Sequence, residues 1–419
     1  MSPSAPPGAR ISAPQASRSQ WYRTVLACVA DYLDAGSIVG ASAALTLWTS
    51  AFGLSPTALG VLAALGVNAG SYAVGSLIGG RLGDVLGRKR IYQWDLLVYI
   101  VGGLVLVFAA QGWMLFAGLI VMGLAVGADV PTSWALIGEI APDRARGKFV
   151  GMTSVFWNLG PVVTLLLAFA LAPLGLLGTR ILFAHLVLVA AVTWLLRLRM
   201  AESELWLAAK RRAGSGAGEL RRLFRHYSKR MLFVFAVHTL GSIALGTFGF
   251  FLPYILRTIG SQSQAASVGF NAINFALTGL GVGFLYVPLI ERVNRRVFYG
   301  VAGIVAVVSV LLLVFLPLSN PAVVLLFIVL QALSAACGQE QFYRLWCQEL
   351  FPTMSRATAQ GLIIFAQKVV LAVWSVFVPV IVAASFHAFT WILAAATAGA
   401  VVIGFVWMPR KPATLEDVA

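Results

Sequence analysis

The feature that most limits what this chain can become is a succession of apolar stretches along nearly its whole length. Each is roughly 20 residues, enough to cross about 30 Å of hydrocarbon. Inside lipid a segment must satisfy its own backbone hydrogen bonds, so each stretch reads as a helix. Twelve spans are expected, over about 24–48, 57–80, 91–110, 112–140, 148–172, 181–198, 231–255, 267–290, 297–317, 321–346, 359–383 and 386–408. Charge clusters or short turns, such as Gly53 to Pro56 and Pro317 to Pro321, separate them. Of the 419 residues, 60% are hydrophobic and 11% charged. Soluble domains carry about 25% charged residues, so a soluble enzyme is excluded and the expected solvent is a lipid bilayer. The fold class is all-α membrane protein.

Every Lys and Arg except Arg180, Arg257, Arg344 and Lys368 falls in the amino-terminal tail, the even-to-odd connections or the carboxyl-terminal tail. The positive-inside rule then puts both termini in the cytoplasm of a multi-pass inner-membrane protein. The same bias explains most of the net charge of +15, so nucleic-acid binding is not expected. Residues 1–22 read as a disordered cytoplasmic tail and 409–419 as a cytoplasmic tail; 23–199 and 231–408 read as two six-helix bundles, with a cytoplasmic linker at 200–230. Cys28, Cys337 and Cys347 lie in or beside apolar stretches and read as packing residues. No Gly-rich phosphate loop, metal-ligand cluster or nucleophile motif stands out, so no enzyme, metal or cofactor is expected.

Two patterns occur twice. Gly80 to Arg90 reads Gly-Arg-Leu-Gly-Asp-Val-Leu-Gly-Arg-Lys-Arg, with a weaker echo from Glu291 to Arg296; Asp84 and Glu291 lie 207 residues apart. Glu139, Pro142 and Arg146 recur as Glu349, Pro352 and Arg356, 210 residues on. Agreement of two motifs on one offset indicates an internal repeat of half the chain. Gly80, Asp84, Gly87, Arg88, Glu139, Arg146, Glu291, Arg295, Glu349 and Arg356 therefore read as a charge latch at the cytoplasmic mouth, with glycines permitting close helix approach.

These motifs resemble those of the major facilitator superfamily, in its sugar-porter and metabolite:proton symporter branch. Gly80 to Arg90 is similar to the signature loop between helices 2 and 3, and the Glu139 and Glu349 motifs to those after helices 4 and 10. Glu202-Ser-Glu-Leu-Trp-Leu207 resembles the branch's signature after helix 6, with Ala201 in place of its first proline. The resemblance covers residues 24–408 and implies two pseudo-symmetric six-helix bundles working by alternating access, often driven by a proton gradient, with a monomer as the expected unit.

Charged residues inside spans are costly and mark function. Asp31 and Asp34, three apart, share a face of span 1, and Asp34 aligns with the helix 1 aspartate that resembling porters use as a proton site. Asp129 in span 4 is a third proton-coupling candidate. Relatives place an arginine early in helix 4, where this chain has Leu119. Gln367 matches a sugar-binding glutamine, whereas Lys368 and Arg344 stand where sugar porters carry aromatics, and His238 where they carry glutamine. Two cations near the midplane suit a carboxylate, so an organic acid is expected ahead of a neutral sugar or polyol, with proton-coupled uptake ahead of drug or metabolite export. The internal alternative pairs Arg344 with Glu340 or Asp129. Glu340, Gln341, Trp157, Asn158, Asn271 and Asn274 complete the candidate substrate site.

Overall fold

A computed structural model describes residues 17–55, 58, 61–62, 65–66, 69–142, 145–213, 219–262 and 264–408. Among them, eleven helices are long and apolar enough to cross a membrane. The first bundle comprises α1 (Arg18–Phe52), α2 (Gly70–Leu86), α3 (Arg88–Val107), α4 (Gly112–Ile140), α5 (Arg146–Leu171) and α6 (Leu176–Arg197). The twelfth span is α2, described over 17 residues; most of 57–69 lies outside the described residues. Two short helices follow, α7 (Glu204–Ala213) and α8 (Glu219–His226). The second bundle contains α9 (Ser228–Thr258), α10 (Gln264–Gly281), α11 (Arg295–Phe315), α12 (Pro321–Cys337), α13 (Gln339–Glu349), α14 (Arg356–Ala384) and α15 (Phe386–Trp407). Below, the membrane face carrying α7 and α8 is the linker side.

Three expectations need correction. The tail assigned to 1–22 ends earlier, because α1 starts at Arg18: Ser17 and Gln20 form a reciprocal capping box, and Trp21 stacks on Phe149 with centroids 4.2 Å apart. Residues 1–16 and 409–419 lie outside the described residues. The 200–230 segment is not simply a loop, since α7 and α8 form within it; Glu202 and Trp206 dock it on the turn before α3. The span expected at 321–346 is broken at Gly338 into α12 and α13. A side chain there would overlap the Ser334 carbonyl. The break frees the Ala335 carbonyl, which accepts from the Gln341 amide nitrogen at 3.4 Å. Broken helices at membrane depth are tolerated where the freed groups find partners in protein.

Lipid gives apolar faces no reason to associate, so close helix contact relies on small residues. A Cβ on Gly79 would strike the Ala128 backbone, which is why α2 lies directly on α4. The next residue, Gly80, meets Ala357 and Gly361 of α14, so the same helix also seals one bundle against the other. The second bundle–bundle seam joins α5 to α10 and the turns that follow it, with Gly151 against Tyr286 and Val287.

Candidate functional site

The two repeated motifs form two latches on the linker side. Arg88 pairs with Glu139 at 2.7 Å and Asp84 at 2.8 Å, and donates to the Thr353 carbonyl at 2.9 Å. Its counterpart Arg295 pairs with Glu349 at 2.9 Å and approaches Glu291 at 3.9 Å. The remaining carboxylate valences cross between bundles. Asp84 accepts from the backbone N–H groups of Ala357 (3.3 Å) and Thr358 (2.6 Å), the first turn of α14. Glu291 accepts from Gly147 N–H at 2.7 Å, in the first turn of α5. Both are carboxylates at helix N-termini, where unpaired N–H groups and the helix dipole favour negative charge. Burial holds the Glu291 carboxyl above the usual glutamate range, an effect Arg295 opposes. Arg356 is fully buried 3.7 Å from Glu139, and Arg146 is buried at the start of α5. Gly87 adopts φ +103°, and a Cβ there would collide with Glu202, whose carboxylate caps α3 through Arg88 N–H at 3.1 Å and Lys89 N–H at 3.2 Å. Sequence reading quoted Glu202 only as part of a motif; its capping role depends on a fold-back of more than a hundred residues.

Deeper in, the spans bring a second charged layer together. Arg344 Nη1 donates to Asp31 Oδ1 at 3.0 Å and Thr153 Oγ1 at 2.7 Å, and its Nε donates to Glu340 Oε1 at 3.0 Å. The guanidinium lies 4.2 Å over the Trp134 ring, while Trp134 Nε1–H donates to Asp31 at 3.0 Å. Glu340 Oε2 reaches His238 Nδ1 at 3.4 Å, and His238 stacks on Tyr343 with centroids 3.5 Å apart. The expectation that Arg344 holds a substrate carboxylate is therefore corrected: two protein carboxylates already neutralise it. Glu340 and His238, expected in the substrate site, belong to the same cluster. Lys368 Nζ lies 4.5 Å over the Tyr72 ring rather than standing as a second exposed cation.

Asp129 lies in a different cluster from Asp31 and Asp34. It pairs with Arg197 at 2.9 Å and accepts from the Ser133 hydroxyl; Asp95 lies 3.9 Å from the same Arg197 nitrogen. Arg197 also donates to the Leu26 carbonyl at 2.9 and 3.1 Å and stacks over Tyr92 at 4.3 Å. All three charged residues are buried inside the first bundle. Sequence reading counted Arg197 as a topology-setting loop residue and passed over Asp95.

The remaining candidates carry unsatisfied oxygens, and Trp157 and Asn158 face α10 across the seam between bundles. Trp157 Nε1–H donates to Asp34 Oδ2 at 3.2 Å, and its ring lies 5.8 Å from Phe275 of α10. Among the described residues, Asp31 Oδ2, Asp34 Oδ1, Asn158 Oδ1, Asn271 Oδ1, Asn274 Oδ1 and Gln341 Oε1 are buried without a hydrogen-bond partner. For three of these amides the orientation is fixed by a carbonyl on the nitrogen side: Ser154 for Asn158 (2.8 Å), Gly249 for Asn271 (3.4 Å) and Ala335 for Gln341 (3.4 Å). Gln367 is buried on α14.

Comparison with known proteins bears on this arrangement. Across 369 residues the chain is 40% identical to the minor myo-inositol transporter IolF of Bacillus subtilis (strain 168), covering 86% of this chain and 84% of that one. The chain belongs to the sugar-porter branch of the major facilitator superfamily. This sugar porter also matches the family model described as "Sugar (and other) transporter" over residues 55–230. A niacin transporter, NiaP of Acinetobacter baylyi (strain ATCC 33305 / BD413 / ADP1), is 29% identical over 143 residues, covering 34% of this chain and 31% of that one. Among solved structures, the proton:xylose symporter XylE bound to 6-bromo-6-deoxy-D-glucose superposes with a TM-score of 0.79 at 18% identity, covering 96% of this chain and 99% of that one. The fold is the major facilitator fold, and the porter is a multi-pass membrane transporter rather than an enzyme.

Proposed function

We propose that this porter moves a sugar or polyol across the cell inner membrane by proton symport, with both termini in the cytoplasm. The observation that carries the substrate class is the set of orphaned oxygens at the seam. Five of the six sit on Asp34, Asn158, Asn271, Asn274 and Gln341; the Asn158, Asn271 and Gln341 oxygens, and Asp34 when ionised, can only accept. A buried acceptor without a donor is costly, so the site favours a ligand rich in O–H groups. A polyhydroxylated ring supplies them; a carboxylate brings further acceptors and meets Arg344 already neutralised. Similarity to the myo-inositol transporter points the same way.

Asp34 and Asp31 are the proton-coupling candidates in this reading, because each is buried at the seam with one oxygen unpartnered. Asp129 is not retained in that role, being held by Arg197 within one bundle. The bias of Lys and Arg toward the linker side supports a cytoplasmic assignment of that face. The test is competition. Uptake of radiolabelled myo-inositol into cells expressing the chain should be inhibited by polyols and hexoses and unaffected by mono- and dicarboxylic acids. Asn158→Leu and Gln341→Leu should each raise KM by roughly tenfold, the cost of one hydrogen bond to a buried partner, with normal protein levels. Inhibition by carboxylic acids but not polyols would reverse the substrate assignment.

A further inference from the structure

In this chain the arginine on the helix 1 carboxylate comes from the opposite bundle. Helix α4 contains no Lys or Arg among residues 112–140, and Asp31 is instead held by Arg344 of α13. Arg344 lies five residues before Glu349, about 7.5 Å deeper than the linker-side latch at 1.5 Å per residue. The pair thus crosses the seam between the orphaned oxygens and the linker-side mouth. Thr153 of α5 receives the same nitrogen, so three of the contacts on the guanidinium, counting the Trp134 ring, come from the first bundle.

Glu340 gives the arrangement a second state. It is one turn from Arg344 on the same helix and already accepts from its Nε. If Asp31 becomes neutral, Arg344 keeps a carboxylate on its own bundle and is not left as an uncompensated buried charge, a state that would cost several kcal/mol. Glu340's second oxygen faces His238, so it is shared between a permanent and a titratable cation. The proton has a place to land, since Asp31 Oδ2 is unpartnered. Beyond this cluster, the titratable or charged groups facing Asp31 are Cys28 and Asp34 on α1 and Tyr72 on α2 with Lys368 of α14 over its ring; Arg197 at the end of α6 acts on Cys28. Arg344 is the cation hydrogen-bonded to the carboxylate.

We propose that Asp31 and Arg344 form a bundle-to-bundle latch closing the linker side beneath the substrate, and that a proton on Asp31 Oδ2 opens it by returning Arg344 to Glu340. The step adds one proton to one carboxylate and breaks no covalent bond. It rests on the symport reading above for its role in transport, but its opening can be measured without substrate.

The two carboxylates predict opposite outcomes, which a merely structural cluster does not. Spin labels at Arg90 on α3 and Val297 on α11, both exposed near the linker-side ends of the two bundles, report the separation. The three native cysteines are buried and do not compete for label. In lipid nanodiscs the otherwise wild-type chain should show one short distance at alkaline pH, and a longer one gaining population as pH falls. Asp31→Asn should populate the longer distance at alkaline pH, shifting the open-to-closed ratio by about tenfold or more and losing the pH response. Glu340→Gln should hold the short distance to lower pH, because Arg344 then has no carboxylate but Asp31. Opening by both variants, or by neither, overturns the latch. If the distances behave as stated but an imposed proton gradient drives no accumulation of myo-inositol, the latch stands and the symport reading falls.

Discussion

At the scale of single residues, partner identity decides function, and partners are what one chain's spacing does not reveal. Arg344 and Asp31 are 313 residues apart, so their pairing is invisible until the bundles close. The sequence shows only that each is a charge in an apolar span. Read that way, Arg344 becomes a substrate anchor and Asp129 a proton site, yet both are neutralised inside the protein. Arg197 sits at a span end, where basic residues serve topology, and its burial against Leu26, Asp95 and Asp129 follows from the fold alone. It gives a clear prediction: Arg197→Leu leaves two carboxylates facing an apolar interior and should cost about 3–5 kcal/mol. Asp95→Asn should cost far less, because Asp129 holds the shorter contact, 2.9 Å against 3.9 Å. Thermal unfolding of the purified variants in detergent checks the ranking. Equal loss in both would show that the guanidinium is not the element holding the cluster.

At the scale of elements, most of the architecture was legible because lipid leaves the backbone few choices. Span positions, the half-chain repeat and the latch motifs all follow from hydropathy and from carboxylates recurring at one offset. What escaped were irregularities: the break at Gly338, the π-helical turn at Val282–Tyr286 and the docking of α7 on the end of α2 through Trp206. The glycines of the signature loop were expected to permit close approach, and Gly80 shows what they approach: α14 of the other bundle. Gly80→Leu should therefore prevent linker-side closure, since its Cβ would overlap the Ala357 carbonyl and Gly361. Gly269→Ala on α10 faces open space and serves as the control. The separation of labels at Arg90 and Val297 should lengthen in the first variant and stay unchanged in the second. A short distance in Gly80→Leu would mean that the α2–α14 seam does not govern closure.

At the scale of the whole molecule, the internal repeat becomes two-fold closure. Asp84 caps α14 and Glu291 caps α5, each from the opposite bundle, while Arg88–Glu139 and Arg295–Glu349 brace the two capping loops within theirs. The Asp31–Arg344 pair lies above these latches, with the acceptor-rich seam above it. In the proposed reading, charges that part when the bundles rock are thus stacked between the substrate region and the linker side, and a carboxylate at the seam connects substrate, proton and closure. Proteoliposomes containing the purified chain, with an inward proton gradient and radiolabelled myo-inositol, test this most directly. The account predicts accumulation above equilibrium that collapses with a protonophore, and Asp34→Asn that abolishes accumulation yet still exchanges labelled for unlabelled substrate. Accumulation unaffected by Asp34→Asn, or myo-inositol merely equilibrating whatever the gradient, would contradict it.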